Sequence, residues 1–416
     1  MLTNWAGNVT YQARQMLRPA SVDELRGVVA GSDRLRALGT GHAFNRLADT
    51  TGDLVSVAGL PPVMDIDTAG RTVTVAAGVR YGELAAHLDA SGWALHNLGS
   101  LPHLSVAGAC ATGTHGSGVT LGNLSTAVAA LELVTADGEL VTLRRGVDAD
   151  FAGAVVGLGS LGVVTRVTLD VEPAYQVRQY VYENLPRAEL DAHWPDILAS
   201  AYSVSLFTDW TGPGINQVWR KHRDGDGSGP AAPVWRGATL APEDRHPIAA
   251  LSAVHCTEQG GVPGPWHTRL PHFRLEFTPS AGRELQSEYL LARADAPAAL
   301  AALDGLRDRL APVTQISEIR TIAADQLWLS PSHHRDSVAF HFTWVEDAAA
   351  VTPVMAAVEE RLAPFAPRPH WGKLFGIAPA DLAPRYPRWA DFAALLRRYD
   401  PAGKLRNPVI DRYFPG

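Results

Sequence analysis

Residues 97–118, NLGSLPHLSVAGACATGTHGSG, constrain the chain more than any other stretch. Glycines 99, 108, 113, 116 and 118 alternate there with Ser100, Ser105, Thr112, Thr114 and Ser117. Such a segment offers backbone N–H groups and hydroxyls with few side chains in the way, which is how a chain cradles a pyrophosphate without a Rossmann helix. For one isolated loop, an ordinary Gly/Ser connection is the favoured reading. A second glycine loop shifts the balance. LGTGHAFN, residues 38–45, follows a short apolar run and presents His42 beside glycines and an aromatic. Three readings of His42 compete: part of a dinucleotide loop, a metal or catalytic histidine, and a histidine that holds a cofactor.

The surrounding pattern is α+β. SVDELRGVVAG carries a helix start at Ser21 with Glu24 three residues on, and RLRALG follows as a short strand. RTVTVAAG alternates like a strand, and YGELAAHLDASG returns to helical spacing with Gly92 as terminator. ALELVTADGELVTL reads as a hairpin about Asp137-Gly138. From about Tyr175 tryptophans become frequent and the texture changes. SVSLFTDW, RLEFTP and VAFHFTWVE are strand-like there. PAALAALDGLRDRLAP, AAAVTPVMAAVEERLAP and WADFAALLRRY are helical, and 223–233 is a polar loop.

Several function classes lose support. GLGSLG, residues 157–162, is a literal G-x-G-x-x-G, but β-branched alternating VVTRVTL follows where a Rossmann loop needs a helix. It is expected to be a strand-to-strand turn. DGDGSG at 224–229 imitates an EF-hand start, yet the twelfth position is Trp235 rather than a bidentate Glu. Neither H-E-x-x-H nor G-x-S-x-G occurs, and no metal is expected. Net charge −7 gives no reason for nucleic-acid binding. Two cysteines exclude a disulfide scaffold and fit a reducing cytosol. No stretch has membrane-span or signal-peptide character, so a cytoplasmic, soluble, monomeric protein is expected.

Taken together, GTGHAFN, GSLPHLSVAGACATGTHGSG, LVTADG and GLGSLGVVTRVTL resemble the FAD-binding domain of the vanillyl-alcohol oxidase (PCMH-type) flavoproteins. EIRT at 318–321, HFTW at 341–344, RPHWGK at 368–373 and DPAGKLRN at 400–407 narrow the resemblance to the alditol oxidases, relatives of the sugar-lactone oxidases. It covers nearly the whole chain. The resemblance implies a two-subdomain FAD-binding domain over 1–175 and an α+β substrate-binding cap over 176–376. It also implies a C-terminal segment, 377–416, returning to the FAD-binding domain.

The family's roles carry over residue by residue. His42 matches the histidine bonded covalently to the flavin 8α-methyl carbon. Thr40, Gly41, Ala43, Phe44, Ser100, Ser105, Gly108, Thr112, Gly113, Thr114, His115, Val163 and His370 are expected to contact FAD. Ser100, Glu318, Arg320, Thr343 and Lys373 are expected around a polyol, with Arg320 and Lys373 as the catalytic pair. Glu318 and Arg320 lie two apart, so on a strand they share a face; without the family, a surface ion pair is the favoured reading. Repulsion between the two cations should favour a neutral Lys373. The small Gly99 leaves room for dioxygen and suits an oxidase. Cys110 does not match the position of the second, cysteinyl flavin bond of some relatives. A sugar-lactone oxidase or dehydrogenase and a non-catalytic flavin carrier are the alternative readings.

Overall fold

The computed structural model describes residues 2–226, 231–277 and 283–416. Helix Val22–Gly31 starts where Ser21 accepts a hydrogen bond from Glu24 N, and the Glu24 carboxylate reaches back to Ala20 N. It packs near a parallel three-stranded sheet of Gln15–Leu17, Asp53–Val55 and Leu35–Ala37. An antiparallel five-stranded sheet follows, ordered Met64–Asp67, Thr72–Ala76, Val163–Asp170, Val128–Val134 and Leu140–Arg144. The last two strands form the expected hairpin, with Gly138 at φ 88°.

GLGSLG departs from expectation in one respect. It leads into the strand Val163–Asp170 as expected, but a short helix, Phe151–Ala154, precedes it, so the turn joins helix to strand. Its Leu158 and Gly159 carbonyls accept from the buried Arg36 guanidinium. That guanidinium also holds Leu405 O and Leu47 O. Arg36 thereby ties the end of the chain to its beginning. Asn407 adds hydrogen bonds to the carbonyls of Arg46, Leu47 and Asp49, and Leu35 N donates to Lys404 O.

The residues from 176 to 369 build one antiparallel sheet, ten-stranded among the described residues. Its centre runs Ile215–Arg223, Ser203–Thr208, Thr314–Ile322, Ser337–Val345 and Glu284–Ala292. These strands are buried on both faces, so period two decides which layer each residue enters. Ser287, Tyr289, Ser317, Phe342 and Trp344 take one face. There Trp344 Nε1 donates to Ser287 Oγ, Trp210 Nε1 donates to Ser317 Oγ, and Phe342 stacks on Trp344 at 4.8 Å. The Tyr289 hydroxyl meets Glu359 of the helix Ala348–Leu362, which marks that face as the helical side. RLEFTP is not a strand: residues 274–277 turn, and 278–279 lie outside the described residues. Residues 227–229 of DGDGSG also lie outside them.

Candidate active site

The other face of the large sheet forms the wall of one deep cavity. Glu284, Gln286, Glu288, Ile316, Glu318, Arg320, His341 and Thr343 line it, every second residue of three neighbouring strands. Register aligns them: Glu288 pairs with His341, and His341 pairs with Glu318. The opposite wall is made by the two glycine loops, with Thr40, Gly41, His42, Ala43, Phe44, Ser100, Ser105, Gly108, Thr112, Thr114 and His115. Lys373 and His370 close one end.

The histidine turn has two jobs, and its backbone explains both. Gly41 adopts φ 72°, a left-handed conformation that glycine takes without the Cβ penalty. The chain therefore reverses after Leu35–Ala37 and lays His42 against Trp5, stacked at 5.2 Å. Phe44 N then donates to Gly372 O, and Asn45 Nδ2 donates to the carbonyls of Trp371 and Lys373. The turn that presents His42 thus also anchors Lys373. The two glycine loops touch where Ser105 N donates to Thr40 Oγ1. A Cβ on Gly39 of the histidine turn would clash with Ser105 Oγ, so glycine permits that approach.

His42 Nδ1 lies 3.0 Å from Thr40 Oγ1, while Nε2 is buried without a hydrogen-bond partner among the described residues. Burial, then the field of His103, pulls its pKa down to about 4, so the ring is neutral near pH 7. A neutral, half-satisfied imidazole at the wall of a glycine-lined cavity fits a flavin-carrying histidine. Gly99 stands beside this wall, where a Cβ would lie 3.7 Å from His115 O and from Thr114 Cγ2. Cys110 is buried in the helix Val106–Ala111, 3.3 Å from the Tyr81 hydroxyl, and does not line the cavity.

Two of the residues expected to contact FAD do not line this cavity. Val163 is buried in its strand opposite Val134, packed with Leu25 and Val29 in a separate core. Gly113 turns at φ 67° toward Pro331. Neither lines the cavity.

The five residues expected around a polyol do converge on this cavity. Arg320 Nη1 donates to Ser100 Oγ at 3.1 Å, and Arg320 Nε lies 3.4 Å from Glu318 Oε2. Glu318 and Arg320 are 4% and 5% exposed, so the surface-pair reading fails. The hub was not legible in the sequence. Glu288, fully buried, receives Lys373 Nζ at 2.6 Å and Arg320 Nη2 at 3.0 Å, and His115 Nε2 lies 3.2 Å away. Burial pushes this carboxyl up, but Lys373, His115 and Arg320 together hold it well below the ordinary range. The expected repulsion between the two cations is therefore screened by a shared carboxylate. Lys373 is still lowered, chiefly by burial, against the pull of Glu288.

His341 is the second residue that was missed, although HFTW contains it. Its Nδ1 is 2.8 Å from Lys373 Nζ and its Nε2 is 3.0 Å from Thr343 Oγ1. Burial and Lys373 hold it at about 3, hence neutral. His272 and Lys221 also stand behind Glu318. One of the two acids within ELQSEYLLA and the histidine within LPHF carry no motif, so only the tertiary fold could have found them. Among the described residues, no cluster suits a metal and no helix is long and apolar enough to cross a membrane.

The chain resembles known proteins in sequence and in fold. A family model for an FAD binding domain matches residues 13–144, and one for D-arabinono-1,4-lactone oxidase matches 279–413. An alditol oxidase of a Streptomyces species is 55% identical over 98% of both chains. An L-gulono-1,4-lactone dehydrogenase of Mycobacterium tuberculosis is 29% identical, over 99% of this chain and 98% of its own. Cholesterol oxidase from Brevibacterium sterolicum superposes with a TM-score of 0.81 at 15% identity, over 99% of this chain and 96% of its own, a likeness of fold. With a flavoprotein fold, a glycine-lined cavity and this level of identity, the chain belongs to the alditol oxidase family of FAD-dependent flavoproteins.

Proposed function

We propose that this protein oxidises the terminal primary alcohol of alditols such as xylitol and sorbitol to the aldose, with dioxygen reduced to hydrogen peroxide. The observation that carries this reading is the convergence of Ser100, Glu318, Arg320, Thr343 and Lys373 on the cavity that His42 also lines. Bound FAD supplies the hydride acceptor, N5 of its ring, and the electrons that dioxygen takes up. The glycine loops of residues 1–175 would hold it, with His42 as the covalent attachment. The sheet of the following segment, to about residue 376, presents the alcohol.

The chain's own residues do the acid–base work. Lys373 Nζ spends two hydrogens on Glu288 Oε2 and His341 Nδ1. In its neutral form the remaining position is a lone pair, available to the proton of the reacting hydroxyl. Once protonated, Lys373 is balanced by Glu288. Arg320, held by Glu288 and Ser100, stabilises the oxygen as its proton departs. Glu318 accepts from hydroxyls further along the chain, and Thr343 offers a donor beside His341.

A second reading, a sugar-lactone oxidase or dehydrogenase, draws on the lactone-oxidase model that matches residues 279–413. Oxygen uptake with stoichiometric peroxide separates the two. Xylitol should drive it and L-gulono-1,4-lactone should not; the reverse preference would overturn the alditol reading. The flavin link has its own test. Acid-precipitated protein should keep its yellow colour in the pellet, and His42→Ala should release the colour to the supernatant. A colourless wild-type pellet would exclude the covalent bond.

A further inference from the structure

Behind Glu318, on the side remote from Lys373, a lysine is buried where an apolar residue would be cheaper. Lys221, in the strand Ile215–Arg223, is 1% exposed. Its Nζ lies 2.5 Å from Leu270 O, 3.1 Å from Pro271 O and 3.2 Å from His272 Nδ1. His272 Nε2 in turn lies 2.7 Å from Glu318 Oε1. Among the described residues, no carboxylate touches the lysine directly. Replacing such a buried charge by a well-packed apolar side chain is often neutral or stabilising, so its presence calls for a reason.

The hydrogens in this chain can be assigned by elimination. Arg320 and His272 hold Glu318 well below the ordinary carboxylate range against the upward push of burial, so it is ionised and accepts only. His272 Nε2 must therefore carry a hydrogen. Burial and Lys221 pull the imidazole down to about 4, so it carries one hydrogen and Nδ1 is a lone pair. Lys221 must donate to that lone pair and spends its other hydrogens on the two carbonyls; burial pulls its pKa down to about 7, and either protonation state leaves Nζ a hydrogen for Nδ1. The lysine thus selects the tautomer of His272, and His272 can then donate to Glu318. The ring has no room to swing: Trp219 and Phe207 flank it at 5.1 and 5.6 Å, and its backbone N–H donates to Ser100 O.

We propose that Lys221 and His272 form a positioning clamp that pins Glu318 Oε1 and thereby holds the carboxylate in place for the hydroxyls of the polyol beyond its reacting carbon. The proposal rests on the reading of Glu318 as a substrate-facing group. Neither clamp residue touches the reacting alcohol. Their removal should therefore weaken polyol binding while sparing the limiting rate of hydride transfer. That split differs from the effect of losing Arg320 or Lys373.

The test is anaerobic stopped-flow reduction of the holoenzyme at varied xylitol concentration. Lys221→Met and His272→Leu should each raise the half-saturating concentration about tenfold, the scale of a lost hydrogen bond to a charged acceptor. The limiting rate should change less than about threefold. His272→Gln, whose amide both donates and accepts, should recover most of the affinity. Half-saturation within twofold of wild type in His272→Leu would overturn the clamp. So would a His272→Gln variant as poor as His272→Leu, which would mean the ring only fills space. If Lys221→Met does not accumulate as folded holoenzyme, the two His272 variants decide. Glu318→Gln serves as the reference: no loss of affinity there would overturn the substrate-facing reading itself, whereas a loss there without one in the His272 variants rejects the clamp alone.

Discussion

Lys373→Met and Arg320→Met should each slow anaerobic reduction at saturating xylitol by about a hundredfold or more. The estimate follows from removing a preorganised donor at a developing oxyanion, typically worth about 3 to 4 kcal/mol, with roughly 1.4 kcal/mol for each tenfold in rate. The geometry separates the two roles. Arg320 is raised by the fields of Glu318 and Glu288 against the opposing effect of burial, so it stays a cation and serves electrostatically. Lys373 is lowered by burial and has one unspent position at Nζ, so it can accept a proton. A general base must be deprotonated to act, so the limiting rate should rise with pH as Lys373 loses its proton. That rising limb should vanish in Lys373→Met and persist in Arg320→Met. A near-wild-type limiting rate in Lys373→Met would remove the lysine from the proton path.

Glu288→Gln should lower the stability of the holoenzyme at pH 7 by about 3 to 5 kcal/mol, because it keeps the shape of the side chain and deletes the counter-charge of a buried pair. Lys373 and Arg320 would then face each other across a neutral amide. The sign of the pH dependence is fixed. The Glu288 carboxyl is held well below its unfolded value, so its contribution is present above that value, about 4.3. It is lost as pH falls through the lower folded value. Urea unfolding should show a wide gap between wild type and variant at pH 7 that narrows toward strongly acidic pH. Because Glu288 pulls the Lys373 pKa upward, the rising limb of the rate profile should also move to lower pH in the variant. Equal unfolding midpoints at pH 7 would show that the carboxylate is not the counter-charge of the site.

The parts legible in the sequence share a physical property: they depend on neighbours within a few residues. Ser21 could be read as a helix cap because its partner, Glu24 N, is one turn away. Asp137-Gly138 could be read as a hairpin because the turn itself requires a left-handed glycine. The histidine turn and the 97–118 loop stood out because glycine density has few other uses. Arg320 and Glu318 could be assigned to one face because a strand has period two. The depth of that face could not be read, and from spacing alone a surface pair was the favoured reading.

What the tertiary structure decided is the company these residues keep. Glu288, His341 and Glu318 become neighbours through the register of three antiparallel strands, over separations that no local pattern encodes. RLEFTP had a strand's composition, but its described residues turn instead. Val163 sat in the right motif, yet alternation sent its side chain into the core behind the loop. Lysine and glutamate in a sequence read as surface charge, because burial of either is unfavourable in isolation. Only the fold, by bringing Lys373 and Arg320 to Glu288, and Lys221 to His272, supplies the partners that make burial tolerable and turn those charges into a site.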